Sequence, residues 1–426
     1  MQLKKDLYSE EAPPFGHELL KHFAIDPEYT NLNHGSYGTT PRPVIEATNE
    51  LTLRVESNAD LFHRIEYLPL LVEARTQVAE LIGAERDEVV FVTNASMGVA
   101  TVMRNFEWEE GDMIFAFTTT YNSVLRTAHY ISDVLPHPKL VTIPIGFPTT
   151  HAEIIQNFKE YLDANPANPN KRRVAVIDSI VSNPGCLLPW KEMTKIAKDA
   201  NVWSVVDAAH SIGQEVGLNL TEAAPDFWIS NCHKWLSAKR SCAVLYVPFR
   251  NQHIIKTSIP TASVYISPKD RNGLPNFVEQ FDCKHSGHGT IDWAPYLTVV
   301  DALRFRKWLG GEEKINAYCH DLALKGGKRL AEVLGTQVMD PSGESTLNMV
   351  NVALPLPNGF EETYPVHAFM RKEMLDRKAF SAHFKHNGQW WTRCSAQVFT
   401  ELSDFEIVGQ RWLEVCDAVK KEFGLE

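Results

Sequence analysis

The 426-residue sequence contains no uninterrupted apolar run near the roughly 20 residues that a membrane-spanning helix needs, so a helical membrane protein is not expected. It has no CxxC pair, and its seven cysteines follow no paired spacing. That argues against a disulfide framework and fits a reducing compartment, and no metal site is expected. Basic residues are not in excess: 42 Lys and Arg stand against 53 Asp and Glu, a net charge of −11 that lacks the signature of a nucleic-acid binder. Internal repeats and low-complexity tracts are missing as well. The N-terminus, Met1 to Asp6, runs into acidic, proline-containing sequence and does not read as a signal peptide. With 44% hydrophobic and 22% charged residues, the composition is that of an ordinary globular protein. The length suggests two domains, or one large domain with a smaller companion. The expectation is a cytoplasmic, enzyme-sized protein with no membrane or nucleic-acid partner.

What is present is an alternation of short apolar runs with helical patterns. Val89–Val92 reads as a buried strand ending in Thr-Asn-Ala-Ser-Met-Gly, and a helix follows. Small residues at such a turn leave backbone N–H groups at a helix N-terminus, a natural phosphate site. Further strands are expected at 113–117, 141–143, 173–177 and 203–206, with an amphipathic helix over 191–200. This order implies a mostly parallel sheet covered on both faces, an α/β fold. Helical spacing from Val44 to about Leu81 is broken at Asn58-Ala-Asp60, and the stretch from Pro260 to Gly289 reads as a long functional loop. Later come a long helix through 314–334, a strand at 348–354 and a closing helix at 405–423.

The chemistry gathers between Val205 and Leu245. Asp207 closes one apolar run, and Ser230-Asn-Cys-His-Lys234 follows another. Polar groups just past strand ends lie where open α/β sheets bind ligands. A lysine with an aspartate 27 residues earlier meets the two needs of pyridoxal phosphate chemistry, an amine for a Schiff base and a carboxylate for the pyridinium nitrogen. Taken singly, Lys234 reads more readily as a snorkelling or ion-paired lysine, and Asp207 as a helix N-cap or a turn residue. Together they are far more specific. Ser230 and His233 are candidate phosphate contacts, and burial would lower the Lys234 pKa.

With these residues the sequence resembles the class V aminotransferase family of fold-type I pyridoxal phosphate enzymes over nearly its whole length. It is most similar to the branch with isopenicillin-N-epimerase-like, hercynylcysteine sulfoxide lyase and cysteine-desulfhydrase-like members. Asn33-His-Gly-Ser-Tyr-Gly38, Thr93-Asn-Ala-Ser-Met-Gly98, Ser230–Trp235 and Arg393-Cys-Ser-Ala-Gln397 carry the resemblance. It implies an N-terminal arm (1–40), a large cofactor domain with a mostly parallel, seven-stranded-type sheet (41–300) and a smaller C-terminal α+β domain (301–426). The cofactor would be pyridoxal 5′-phosphate, with Lys234 as its Schiff-base amine and Asp207 at the ring nitrogen. His210 and Asn183 would lie near the phenolic oxygen. The backbone and side chains at Ala95, Ser96 and Met97, with Ser230 and His233, would hold the phosphate. Gly289-Thr290 resembles a segment that reaches the phosphate of a partner subunit, which implies a homodimer with shared sites. Tyr121 would stack on the cofactor, or also act as an acid. Arg393 would clamp the substrate carboxylate, unless it forms a surface ion pair. Asn33 and His34 would line the substrate pocket, with a structural histidine as the alternative for His34. His63, Arg64 and Tyr67 read better as solvated helix residues than as substrate contacts.

Two departures narrow the reaction. Persulfide-forming desulfurases carry a mobile-loop cysteine before the C-terminal arginine, whereas His386 to Trp391 contains none and Cys394 directly follows Arg393. Trp390-Trp391 suggests a pocket wall with one apolar or cation-attracting side, or else plain core. The leading expectation is a lyase that splits the Cβ–S bond of a cysteine-like amino acid, giving pyruvate, ammonia and a sulfur product, with Tyr121 protonating the leaving group. C–C bond formation of the loline or ustiloxin type, and Cα epimerisation, start from the same residues. A cofactor-free binding protein is disfavoured by the intact Lys234 and Asp207.

Overall fold

Short runs of Val, Ile and Phe form strands because their branched or aromatic side chains fit a pleated surface buried on both sides. The computed structural model describes residues 7–166, 168, 170–258, 269 and 291–425. Its strands are β1 (Thr30–Asn31), β2 (Val89–Val92), β3 (Met113–Phe117), β4 (Lys139–Ile143), β5 (Arg173–Asp178), β6 (Trp203–Asp207), β7 (Phe227–Ser230), β8 (Ala243–Tyr246), β9 (Met349–Ala353), β10 (Ala379–Phe380), β11 (Ala382–His386) and β12 (Gln389–Ser395). Seven of them form the main sheet in the order β2-β8-β7-β6-β5-β3-β4. Only β8 runs against its neighbours there.

Alternate side chains of the central strands enter separate cores. Ala175, Ile177, Val206 and Trp228 face one core with the helix Tyr67–Ile82, while Val174, Val176, Val205 and Ile229 face another with the helix Ala95–Asn105. This two-residue period fixes which polar groups emerge at the strand ends. Gly98 lets the second helix sit close, since a Cβ there would lie 2.6 Å from Ile229 Cγ2. The chain passes from β3 to the edge strand β4 and returns to β5 on the other side of β3. Sheets bind ligands at such a reversal, and Tyr121 follows β3 while Asp178 ends β5.

A further core joins Leu19, Phe23 and Leu32 to the C-terminal third, including Val350, Trp390 and Trp412. There β11, β12 and β9 make an antiparallel sheet that packs with the helices Gly311–Leu334 and Leu402–Glu422. The interruption expected at Asn58 is real. The helix Arg42–Ser57 ends, Asn58 accepts a hydrogen bond from Leu61 N at 3.0 Å, and a π-helical turn (Phe62–Glu66) leads into Tyr67–Ile82. The loop expected over Pro260 to Gly289 lies, but for Lys269, outside the described residues. No helix among the described residues is long and apolar enough to cross a membrane.

Candidate active site

Parallel pairing of β5 with β6 sets Asp178 directly beside Asp207 at their C-terminal ends. Beyond β7 the chain folds over Asn231–Lys234, held by Ala238 N donating to Cys232 O at 3.1 Å. The turn His34–Tyr37 lies on top of this segment, and His34 Nε2 donates to the Lys234 carbonyl at 3.0 Å. Only glycine fits at position 38, where φ is +68° and a Cβ would fall 1.7 Å from the His233 carbonyl oxygen. The sequence therefore builds a roof over Lys234 from a segment 200 residues away.

Under this roof is a cavity of about 330 Å³. Ala95, Ser96, Tyr121, Asp207, His210, His233 and Lys234 line it, together with Asp178 and Asn231. The N-terminus of the helix Ala95–Asn105 forms part of its wall. Asn231 Oδ1 accepts from Ala95 N and Asn94 Oδ1 from Met97 N, each at 2.9 Å, and the Ser96 hydroxyl has no hydrogen-bond partner among the described residues. Lys234 Nζ lies 3.1 Å from His210 Nε2. Trp235 Nε1–H donates to His210 Nδ1 at 3.2 Å. An indole N–H can only donate, so Nδ1 is the acceptor and a neutral His210 carries its proton on Nε2, toward the cavity.

Burial governs the charges. It pushes the Lys234 amine down to about 7, with the nearby Arg393 cation acting the same way and Asp207 opposing. Burial also raises the Asp207 carboxyl, with the Lys234 cation and the Ala209 N–H opposing, and burial with the Asp207 charge lifts Asp178 well above the usual carboxylate range. His210 is driven well below its ordinary value by burial and then by Lys234, so it is neutral. His233 falls to about 4, again mainly by burial, while its Nδ1 donates to Cys242 O at 2.9 Å.

Several expected residues take other positions. Ser230 is fully buried off the cavity; its hydroxyl donates to Ala208 O and accepts from Ile212 N at 3.0 Å, so it is spent on the backbone and is not available to a phosphate. Met97 is 47% exposed and faces a different cleft, because the helix turns it away from Lys234. Asn183 and Asn33 line an adjoining cleft, and the neighbour Ser182 takes the cavity position. His34 lines neither space: it is buried against Trp235, with ring centroids 5.1 Å apart, and burial holds its pKa down to about 3. Arg393 is buried behind the wall, where it donates to Ser182 O, to Ser36 Oγ at 2.9 Å and to Asn33 Oδ1 at 3.4 Å. It is no surface ion pair, and its Nε has no partner among the described residues. Gly289 and Thr290 lie outside the described residues.

Trp390 and Trp391 are core residues that donate to Phe360 O and His386 O, so they form no pocket wall. Asn387-Gly388 makes a tight hairpin turn between β11 and β12, and Cys394 is buried on β12. Arg64 is exposed and pairs with Asp60, while Tyr67 packs on Trp293; neither reaches the cavity. Sequence reasoning missed Asp178, Asn231 and Trp235. Asp178 carried the same signal as Asp207, an acid closing an apolar strand.

The residues fit pyridoxal 5′-phosphate. An amine able to be neutral near pH 7 and a carboxylate share one cavity, and on its wall an 11-residue helix opens on an unpartnered serine hydroxyl. Asp178 Oδ2 is buried without a hydrogen-bond partner among the described residues, a polar edge suited to a polar ligand.

Comparison with known proteins agrees. The model of the family described as class-V aminotransferase matches residues 34–361. The L-cysteine desulfhydrase-like protein lolT1 of Epichloe uncinata is 32% identical, over 96% of this chain and 98% of its own. The hercynylcysteine sulfoxide lyase of Schizosaccharomyces pombe is also 32% identical, over 94% and 98%. Among solved structures, a cysteine desulfurase from Thermococcus onnurineus superposes with a TM-score of 0.76 at 19% identity, over 96% of this chain and 100% of that one, a likeness of fold.

Proposed function

The chain belongs to the class-V aminotransferase family of pyridoxal phosphate enzymes, and from that premise we propose that it is a lyase acting on the Cβ–S bond of cysteine or an S-substituted cysteine. The observation that carries the reading is the Lys234 amine, made neutral near pH 7 by burial, in one cavity with Asp207 and His210. The names of relatives matched along nearly their whole length support the choice of bond.

When bound, the cofactor supplies an electron sink for the pair left behind as a bond to the substrate Cα breaks. In this reading Lys234 holds it covalently and Asp207 keeps its ring nitrogen protonated. The Ser96 hydroxyl and the amide N–H at the helix start take the phosphate, and His233, whose Nδ1 proton is committed to Cys242 O, would join them by taking a second proton on Nε2 beside that negative charge. His210, its tautomer set by Trp235, donates from Nε2 to the phenolic oxygen. Arg393 receives the substrate carboxylate once Ser36 and Asn33 give way, with two parallel N–H bonds that fix the orientation of Cα. Once the substrate's own amine has taken its place, the freed Lys234 amine removes the Cα proton, and Tyr121, 45% exposed at the cavity wall, protonates the departing sulfur. Taken as a whole, R–S–CH2–CH(NH3+)–CO2− and water become pyruvate, ammonium and R–SH. A sulfoxide releases the sulfenic acid instead. Lacking a loop cysteine, the chain releases its sulfur product directly and carries no protein persulfide.

The proposed assembly is a homodimer, supported by the resemblance of Gly289-Thr290 to a segment that crosses to a partner's phosphate. The six described cysteines are unpaired and buried, which supports a cytoplasmic location. The test is to incubate holo-protein with cysteine, S-substituted cysteines and their sulfoxides. Pyruvate in step with a sulfur product, abolished in Lys234→Ala, is expected. Cα–H exchange of another amino acid without pyruvate would overturn the reading.

A further inference from the structure

Beside the Lys234 cavity opens a second space of about 780 Å³, more than twice its volume. The two share the walls Ser36 and Tyr37. Ser36 also accepts from Arg393, and Asn33, the other acceptor of that nitrogen, lines the cleft, so an amino acid held at Arg393 lies where cavity and cleft meet. Free cysteine ends at its sulfur and would leave the cleft unfilled. A cysteine carrying a further group on sulfur would not.

The walls say what that group is. The protein carries a net charge of −11, yet Arg240 and Arg371 line the cleft against the single carboxylate Asp26. Arg240 is fixed in place by donating to Tyr37 O at 3.1 Å and Gly38 O at 2.9 Å, neutral acceptors that hold the guanidinium without cancelling its charge. Arg371 lies on the helix Tyr364–Asp376, where Lys372 pairs with Asp376, and Arg377 just past its end pairs with Glu373 and Glu414. Among the described residues Arg371 has no hydrogen bond or ion pair. Two uncancelled guanidinium groups in a concave wall attract an anion and orient it by charge-assisted hydrogen bonds.

Resting on the lyase reading above, we propose that this cleft is the subsite for the sulfur substituent, and that the preferred substrate is a cysteine whose S-substituent bears a carboxylate. The sulfur product then leaves through the cleft with its acid group still on Arg371 and Arg240.

The test compares S-(2-carboxyethyl)cysteine with its neutral isostere S-(2-carbamoylethyl)cysteine on the holoenzyme. Pyruvate formation and calorimetric binding are measured for both. The carboxylate is expected to be favoured roughly tenfold in kcat/KM and in Kd, as befits a charge-assisted contact in a partly open site. In Arg371→Gln that ratio is expected to fall toward one, and in Arg371→Glu to invert. Equal turnover and binding of the two compounds by the wild-type enzyme would overturn the subsite while leaving the lyase intact. A ratio untouched by both Arg371 changes would overturn it as well. Preferential binding of the carboxylate, lost in Arg371→Gln, with no pyruvate from either compound would uphold the subsite and refute the lyase.

Discussion

An apo-protein that captures its cofactor through Lys234 should do so with a pH dependence no solvent-exposed lysine shows. The amine is drawn from 10.5 to about 7, first by burial and then by the Arg393 cation. At pH 7 about half of it is then neutral, against about 0.03% of an unperturbed lysine, a gain on the order of 10³ in nucleophile. Mixing apo-protein with pyridoxal phosphate and following the visible band of the lysine-bound cofactor measures this gain directly. The capture rate should rise with a midpoint near pH 7 and level off about 1.5 units higher. In Arg393→Gln, which removes one of the two downward influences, the midpoint should move up. The same shift bears on stability, with a definite sign. Because the folded pKa is lowered, the unfolded chain binds the proton and the folded one does not between about 7 and 10.5, so apo-protein stability gains from rising pH across that window. Lys234→Met should therefore stabilise the apo-protein most below pH 7, with the advantage fading toward pH 10. A capture rate that keeps climbing tenfold per unit through pH 9 would refute the reasoning.

Other predictions follow from single contacts. Trp235→Phe removes the N–H that fixes the His210 tautomer and should lower kcat by about 10- to 100-fold, the equivalent of about 1–3 kcal/mol for a buried acceptor left unpaired. In a His210→Gln background, where an amide donates without a tautomer, the same change should have no further effect on kcat. Ser230→Ala should cost about 1–3 kcal/mol in a denaturation experiment and leave cofactor affinity within a few-fold, since its hydroxyl serves Ala208 and Ile212. A tenfold loss of affinity with unchanged stability would return Ser230 to the phosphate site. Gly38→Ala forces a Cβ into the His233 carbonyl, and the resulting shift of the Lys234 segment should show as a drop of cofactor occupancy on gel filtration.

The large sheet was legible because its strands are buried on both faces and read as continuous apolar runs, and because Asp207 and Lys234 close such runs. The helix His151–Ala164 is legible too, since Thr150 and Glu153 form a capping box at its start. So is the β11–β12 hairpin, announced by Asn387-Gly388 between alternating residues. What the residue string hides is which way a polar group turns. Ser230 and His233 flank the same short turn, yet one hydroxyl is absorbed by backbone and the other side chain lines the cavity. Met97 and Ser96 are adjacent in sequence and point to different clefts, because successive helical residues diverge by about 100°. Arg393 was legible as an arginine of the site, but its links to Ser36, Asn33 and Ser182 depend on segments more than 200 residues apart.

The central claim is that the bond broken is Cβ–S, and one experiment addresses it without relying on a coupled assay. An S-substituted cysteine labelled with ¹³C at Cβ is incubated with the holoenzyme, and its carbon resonance is followed in time. The account predicts that the label moves into the methyl group of pyruvate at the rate at which the sulfur product appears, and that Lys234→Ala stops both. A label that stays bonded to sulfur while the Cα proton exchanges, or that enters a new C–C bond, would contradict it.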